Sequence, residues 1–136
     1  MTSTDGAHHK FTARGVWRDQ HLEVRAEDLD LASLGLIRVI RVGGDVDIDT
    51  APLLEGALND AATSGPVAVI VDLSQLTFGD SATLNALIRA QKLRFELVVA
   101  GPLSAQMQRL FSLAGVEGFF RFAPDIDAAM EQLTAP

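Results

Sequence analysis

The stretch VAVIVDLSQLTFGDSATLNALI, residues 67–88, joins a continuously apolar run to an amphipathic one through a short polar turn. Residues 67–73 are apolar up to Asp72, the pattern of a strand that is covered on both faces or lies centrally in a sheet. Leu84, Leu87 and Ile88 share one face of a helix that we expect to begin near Ser81. One acid and one hydroxyl, Asp80 and Ser81, therefore lie between a buried strand and a helix.

Strand and helix patterns alternate on both sides of this unit. Alternating residues predict strands over 21–26 and 36–42, paired as a hairpin with a long turn that includes the polar residues 27–30. A helix follows that Thr50 can cap and Gly65 with Pro66 ends. Strands over 95–101 and 119–122 precede two further helices, the first starting at residues 102–104 and the second after Pro124. This alternation predicts an α/β layer fold with largely parallel strands.

Composition limits the classes of function. The chain has 136 residues, enough for one domain, and a net charge of −7 without a basic cluster, so we expect no direct nucleic acid binding and no membrane binding. It has no cysteine, no apolar run long enough to cross a bilayer and no signal-peptide pattern at its start, which favours the cytoplasm. Residues 1–20 read as a polar, flexible tail and residues 21–136 as the domain.

Two motifs resemble catalytic or metal sites but lack necessary residues. GDSAT at 79–83 is close to a nucleophile elbow, yet the histidines available as a base are His8, His9 and His21, all in the N-terminal segment. DVDIDTAPLLEG begins like a calcium loop, but Thr50 stands at its glycine position and Gly56 at its glutamate position. The adjacent His8 and His9 are not a metal site by themselves. We therefore expect no catalytic residue, no metal and no cofactor.

Two interpretations of Ser81 remain open from local pattern alone. In the first, Asp80 or Ser81 accepts a hydrogen bond from an amide of the first helical turn, and this cap stabilises the helix by about 1 kcal/mol. In the second, the Ser81 hydroxyl carries chemistry.

The order of the predicted elements, together with particular sequence motifs, resembles that of the anti-sigma factor antagonists (anti-anti-sigma factors) of the STAS domain family. VIRVGGDVDIDTAPLL is similar to the family's strand and G-E-L-D segment, with Gly44, Asp45, Val46 and Asp47 at the matching places. VAVIVDLSQLTFGDSATL is similar to its core with an Asp-Ser pair, and GPLSAQMQRLFSLAGVEGFFRFAPDIDAAM to its closing half. The resemblance spans roughly residues 22–134.

The resemblance implies a single STAS-like domain, with a mixed, mostly parallel sheet of four to five strands and about four helices packed chiefly on one face. It implies no catalysis of its own. A bacterial antagonist of this kind binds an anti-sigma factor with serine kinase activity, regulates transcription by partner switching, and is released when the kinase phosphorylates its serine. The alternative is a STAS module that serves as a non-phosphorylated scaffold in a signalling or transport complex.

By position, the resemblance implies that Ser81 is the phosphorylation acceptor. Asp80 precedes it, and Asp47 matches the family's other acidic position near the acceptor. Thr83 stands where the family has glycine, so we expect its side chain to obstruct close approach of a partner or kinase to the backbone, or to compete as an acceptor. The residues expected around the acceptor, and at the partner interface, are Asp45, Asp47, Asp49, Asp80, Ala82, Thr83 and Asn85.

Overall fold

Strands and helices alternate through the second half of the chain, as the sequence predicts. The computed structural model describes residues 10–135, in which the strands are β1 Thr12–Arg18, β2 Leu22–Leu31, β3 Gly35–Val46, β4 Ala68–Gly79, β5 Glu96–Ala100 and β6 Arg121–Ala123. The α-helices of the same residues are α1 Ala51–Ser64, α2 Ser81–Ala90, α3 Ala105–Leu113 and α4 Ile126–Thr134, and Glu117–Phe119 form a short 3-10 helix.

The strands lie in one sheet in chain order, β1-β2-β3-β4-β5-β6. β1, β2 and β3 pair antiparallel, whereas the pairs β3 with β4, β4 with β5 and β5 with β6 are parallel. The prediction of a mixed, mostly parallel sheet is confirmed. The described residues contain six strands rather than four to five.

Helices cover both faces of the sheet unequally. The buried side chains of α1, α2 and α3 join one core with one face of the strands, including Leu54, Leu87 and Phe111. The smaller core on the other face contains Ala129 and Met130 of α4. The predicted packing chiefly on one face is therefore confirmed. None of the helices between residues 10 and 135 has the length and apolar character needed to cross a membrane.

The strand that the sequence did not predict is β1, which lies within the predicted polar tail of residues 1–20. It pairs antiparallel with β2 at the sheet edge, so the tail boundary at residue 20 is wrong from Thr12 onward. Only one side of this edge strand meets the core: Trp17 packs against it, whereas Val16 is exposed. One inward large residue in a polar segment gives too weak an alternation to recognise. Residues 1–9 of the predicted tail lie outside the described residues.

The hairpin turn is shorter than predicted. β2 continues through residues 27–30 to Leu31, and the turn comprises only residues 32–34. The polar residues belong to the strand because Asp28, although buried, pairs with Arg38 directly opposite it on β3. An acid with a partner across the sheet is compatible with a strand interior, whereas without a partner it would end one.

Arg38 joins the hairpin to α1. Its side chain is 0% exposed, and its Nε and Nη2 donate to the two carboxylate oxygens of Asp28 at 2.7 and 3.1 Å. Nη1 donates to Asp60 of α1 at 3.0 Å, and Arg14 of β1 reaches the same Asp28 at 3.1 Å. The hydrogen bond that Arg38 donates to Asp28 raises the pKa of Arg38. Three elements are thus held by one buried guanidinium.

Replacing Arg38 by methionine leaves the Asp28 carboxylate buried without its main partner. We expect Arg38→Met to lower the free energy of unfolding by about 3 to 5 kcal/mol, the usual cost of breaking a buried ion pair. Urea unfolding followed by far-UV circular dichroism measures it. Arg25→Met, which removes an exposed arginine from the same hairpin, is the matched control and should change stability far less. Equal effects of the two substitutions would contradict this role for Arg38.

Candidate functional site

The carboxyl ends of β3 and β4 form the base of the candidate site. The two strands are parallel and stay paired to their last residues, Val46 opposite Gly79. The backbone N–H of Asp80 then donates to the carbonyl of Val46 at 3.2 Å. The loop after β3, with its acids, therefore lies beside the turn that contains Ser81.

Gly44 fixes the course of β3 before this loop. Its φ is +116°, and a Cβ at this position would lie 2.2 Å from the carbonyl oxygen of His21. That carbonyl accepts a hydrogen bond from the backbone N–H of Asp45 at 2.9 Å. The close approach excludes a side chain at residue 44.

His8 and His9, considered above as metal ligands, lie outside the described residues.

The loop from Asp47 to Thr50 is closed by its own side chains. Oδ1 of Asp47 accepts from the backbone N–H groups of Asp49 and Thr50 at 2.9 and 3.0 Å. These bonds lower the pKa of Asp47, and the bond from the N–H of Thr50 has the largest effect. Partial burial opposes the shift. Asp47 therefore stays ionised to lower pH than a free aspartate, and the loop retains its negative charge.

Thr50 precedes α1 at the predicted cap position, but its side chain does not cap the helix. Its hydroxyl donates to the carbonyl of Asp45 at 2.8 Å and accepts from the N–H of Asp47 at 2.9 Å. The predicted helix start is confirmed, whereas the predicted capping bond is wrong. The helical backbone conformation of Thr50 turns its side chain back to the loop instead of toward the first-turn amides.

Asp80, rather than Ser81, caps α2. Oδ1 of Asp80 accepts from the N–H of Ala82 at 2.8 Å, while Ser81 is the first helical residue and is exposed. Within residues 10–135 the Ser81 hydroxyl has no hydrogen-bond partner. The first-turn cap is therefore provided without the serine, whose hydroxyl remains accessible to solvent.

A groove of 420 Å³ lies between the first half of α1 and α2. It is lined by Ile48, Ala51, Pro52, Glu55, Asp80, Ser81, Ala82, Asn85 and Arg89. Four of the predicted residues, Asp80, Ser81, Ala82 and Asn85, thus share one surface. The three other acids do not line the groove: Asp45 lies near the end of β3, and Asp47 and Asp49 belong to the adjoining loop.

The structure adds residues that the sequence reasoning missed. Ile48 is 80% exposed at the groove, and Phe78 is 43% exposed on β4 three residues before Ser81. Arg89 crosses the groove to pair with Glu55 of α1. An apolar residue between Asp47 and Asp49 is an unusual pattern in a polar loop, and that signal was available in the sequence.

Thr83 lies in the core and not at the surface. It is 0% exposed, and within the described residues its hydroxyl is the buried side-chain polar atom without a hydrogen-bond partner. The expectation that Thr83 obstructs a partner or competes as an acceptor is therefore wrong. Thr83 stands one residue before Leu84 and four before Leu87, which places it on the inward face of α2.

The sequence profile of the family described as "Mlab, STAS domain" matches residues 27–124. This span exceeds half of the chain, and the chain belongs to the STAS domain family. A curated relative, the anti-sigma-F factor antagonist RsfB of Mycobacterium tuberculosis, is 28% identical over 99 residues, which cover 69% of this chain and 79% of RsfB.

Solved structures of antagonists share the fold. An anti-sigma factor antagonist from Mycobacterium paratuberculosis superposes with a TM-score of 0.67 at 24% identity, covering 91% of this chain and 94% of that one. The anti-sigma factor antagonist SpoIIAA in its unphosphorylated form gives a TM-score of 0.61 at 18% identity, covering 93% and 98%. The predicted fold and family are confirmed.

Two buried threonines give a matched test of the geometry around Ser81. We expect Thr83→Val to raise the free energy of unfolding by about 1 kcal/mol, because it replaces an unpartnered hydroxyl by a methyl group of similar shape. Thr50→Val removes a hydroxyl with partners, and should lower it by about 1 to 3 kcal/mol. Urea unfolding at neutral pH measures both. A loss of stability in Thr83→Val would show that its hydroxyl is satisfied.

Proposed function

We propose that this protein is an anti-sigma factor antagonist that acts by partner switching. It binds an anti-sigma factor with serine kinase activity when unmodified, and phosphorylation of Ser81 releases it. The observation that carries the proposal is the accessible, unpaired hydroxyl of Ser81 at the start of α2, beside a fixed acidic loop. The protein acts by binding and not by catalysis.

The relatives support the general function. RsfB is named an anti-sigma-F factor antagonist. The structure of the antagonist SpoIIAA is described as that of its unphosphorylated form. In this chain, the residue that matches the acceptor position is on the surface, which a modifying kinase requires. The relatives' names support antagonism, and the kinase and Ser81 assignments are the finer part of the proposal.

A phosphate at Ser81 adds a large charge to an acidic surface. It carries about −1.5 to −2 charges at neutral pH. Two unit like charges about 6 Å apart repel by about 3 kcal/mol at an effective dielectric constant near 20, whereas an exposed helix N-terminus compensates only about 0.3 to 1 kcal/mol. Asp80 already occupies the N–H of Ala82, so that donor is not free to stabilise the phosphate. Repulsion therefore prevails.

The charge acts mainly in the complex. When a partner covers the groove and excludes water, the phosphate must face groups that were arranged for a neutral hydroxyl, and such contacts cost several kcal/mol. A loss of about 3 kcal/mol weakens binding by about a hundredfold. One phosphoryl group is thus sufficient to change the bound state into the free one.

The unmodified protein offers apolar contacts for the partner. Ile48 on the loop lines the groove with Ser81, and Phe78 on β4 stands three residues before it; both are exposed. Burying an exposed isoleucine side chain stabilises a complex by about 1.5 to 3 kcal/mol. The acids around these residues favour a partner surface with a basic rim and an apolar recess.

Phosphorylation is the first test. The full chain is incubated with ATP and the anti-sigma factor that co-purifies with it. We expect the mass of one phosphoryl group on Ser81, its absence in Ser81→Ala, and binding of the phosphorylated protein weaker by about a hundredfold. Calorimetry measures the affinity.

Charge variants provide the control for this test. Ser81→Asp should weaken binding at least about tenfold, whereas Ser112→Asp, which adds the same charge at an exposed position of α3, should not. Full binding by Ser81→Ala and by Ser81→Asp would contradict switching and favour a constitutive STAS scaffold.

Ile48 gives a second prediction. Ile48→Ala should weaken the complex at least about tenfold without loss of stability, because the side chain is exposed in the free protein and buried in the complex. Leu113→Ala is the matched control, since Leu113 is also 80% exposed but lies at the end of α3, outside the groove. If both variants bind like the wild type, Ile48 is not a contact.

A further inference from the structure

β4 extends beyond its neighbour β5. The pairing of the two strands ends at Asp72 opposite Ala100, while β4 continues to Gly79. On its other side β4 remains paired with β3 to the end. The last seven residues of β4 therefore have a strand partner on the β3 side, but none on the β5 side within residues 10–135. Backbone groups at such an edge need another partner when they are buried.

Gln106 of α3 supplies that partner at the final residue of β4. Its Nε2 donates to the carbonyl of Gly79 at 2.7 Å, and its Oε1 accepts from the N–H of Gly79 at 3.4 Å. The side-chain amide carries both N–H donors and a carbonyl acceptor, so it can bond to the two polar backbone groups of one residue, as a neighbouring strand does. The side chain thus replaces the missing strand at the residue immediately before Asp80.

α3 also packs closely against the same residue. A Cβ at Gly79 would lie 2.8 Å from Sδ of Met107 and 2.8 Å from Oγ1 of Thr83. A side chain at residue 79 would force Met107 or Thr83 to shift, because the helix that carries Gln106 packs closely on the turn. Gln106 is partly buried, and solvent does not easily take the place of its amide.

We propose that Gln106 is a positioning residue for the Ser81 site. Its two bonds fix the peptide groups of Gly79, and hence the direction from which the chain enters the Asp80 cap and presents Ser81. Its effect on partner binding and phosphorylation rests on the proposed function, whereas its effect on the turn is a property of the protein alone. α3 does not line the groove, but through Gln106 it determines the geometry of the groove.

Amide hydrogen exchange of the full chain tests the proposal. The reporter is the N–H of Ala82, which is protected by Asp80, and the reference is the N–H of Val71, a buried residue of central β4. We expect Gln106→Leu to accelerate exchange at Ala82 up to about tenfold relative to Val71, since the lost bonds allow the turn to open locally. If the leucine variant does not fold, Gln106→Met, which keeps the side-chain length, replaces it.

Gln108→Leu is the matched control. Gln108 lies on the same helix and its Nε2 donates to the carbonyl of Leu103 at 3.0 Å, away from the turn. This variant should leave the ratio of Ala82 to Val71 exchange unchanged. Equal ratios in the Gln106 and Gln108 variants, or equal acceleration at Ala82 and Val71 in Gln106→Leu, would overturn the positioning role and leave a structural one.

The functional arm measures the affinity of both variants for the co-purified anti-sigma factor. Gln106→Leu should weaken binding and lower the rate of Ser81 phosphorylation by about five- to tenfold, and Gln108→Leu should change neither. Normal binding by Gln106→Leu would overturn the effect on the site. Selective opening at Ala82 in a protein that no kinase modifies would refute the proposed function and support the positioning role.

Discussion

Parallel pairing of β3 and β4 as far as Val46 and Gly79 is the constraint on which the candidate site depends. The pairing places the loop after β3 and the turn after β4 at one edge of the sheet. The bond from the N–H of Asp80 to the carbonyl of Val46 continues this alignment past the strands. The acidic loop and the serine are thus adjacent because of backbone geometry.

Within this frame, the polar groups near Ser81 divide into those that hold the structure and those that are displayed. Asp47 and Thr50 use their side chains to close the loop, and Asp80 uses its carboxylate to cap α2. Ser81 is displayed on the surface, in a groove that the exposed Ile48 also lines. The proposed regulation by charge depends on this arrangement, because acids that are held by hydrogen bonds do not move away from an added phosphate.

The sequence predicted what depends on local pattern and missed what depends on contacts between distant residues. The central strand, the start of α2 at Ser81 and the parallel connections follow from periodicity. Burial of Thr83 follows from its spacing to Leu84 and Leu87, whereas its match to a family glycine predicted a side chain that obstructs a partner. β1 is recognised only through the contacts of Trp17 and Arg14 with distant residues. The hydrogen bonds of Gln106 to Gly79 likewise join residues 27 positions apart. No local pattern encodes such a pair.

The packing of β1 against α1 gives the molecule an optical property. The indole of Trp17, the single tryptophan of the chain, lies over Gly56, where a Cβ would come within 3.3 Å of its Nε1. Gly56 follows Glu55, a residue of the groove wall. Emission from this one chromophore therefore originates beside the helix that forms a wall of the proposed docking groove, and the protein carries an intrinsic sensor of that helix without any added label.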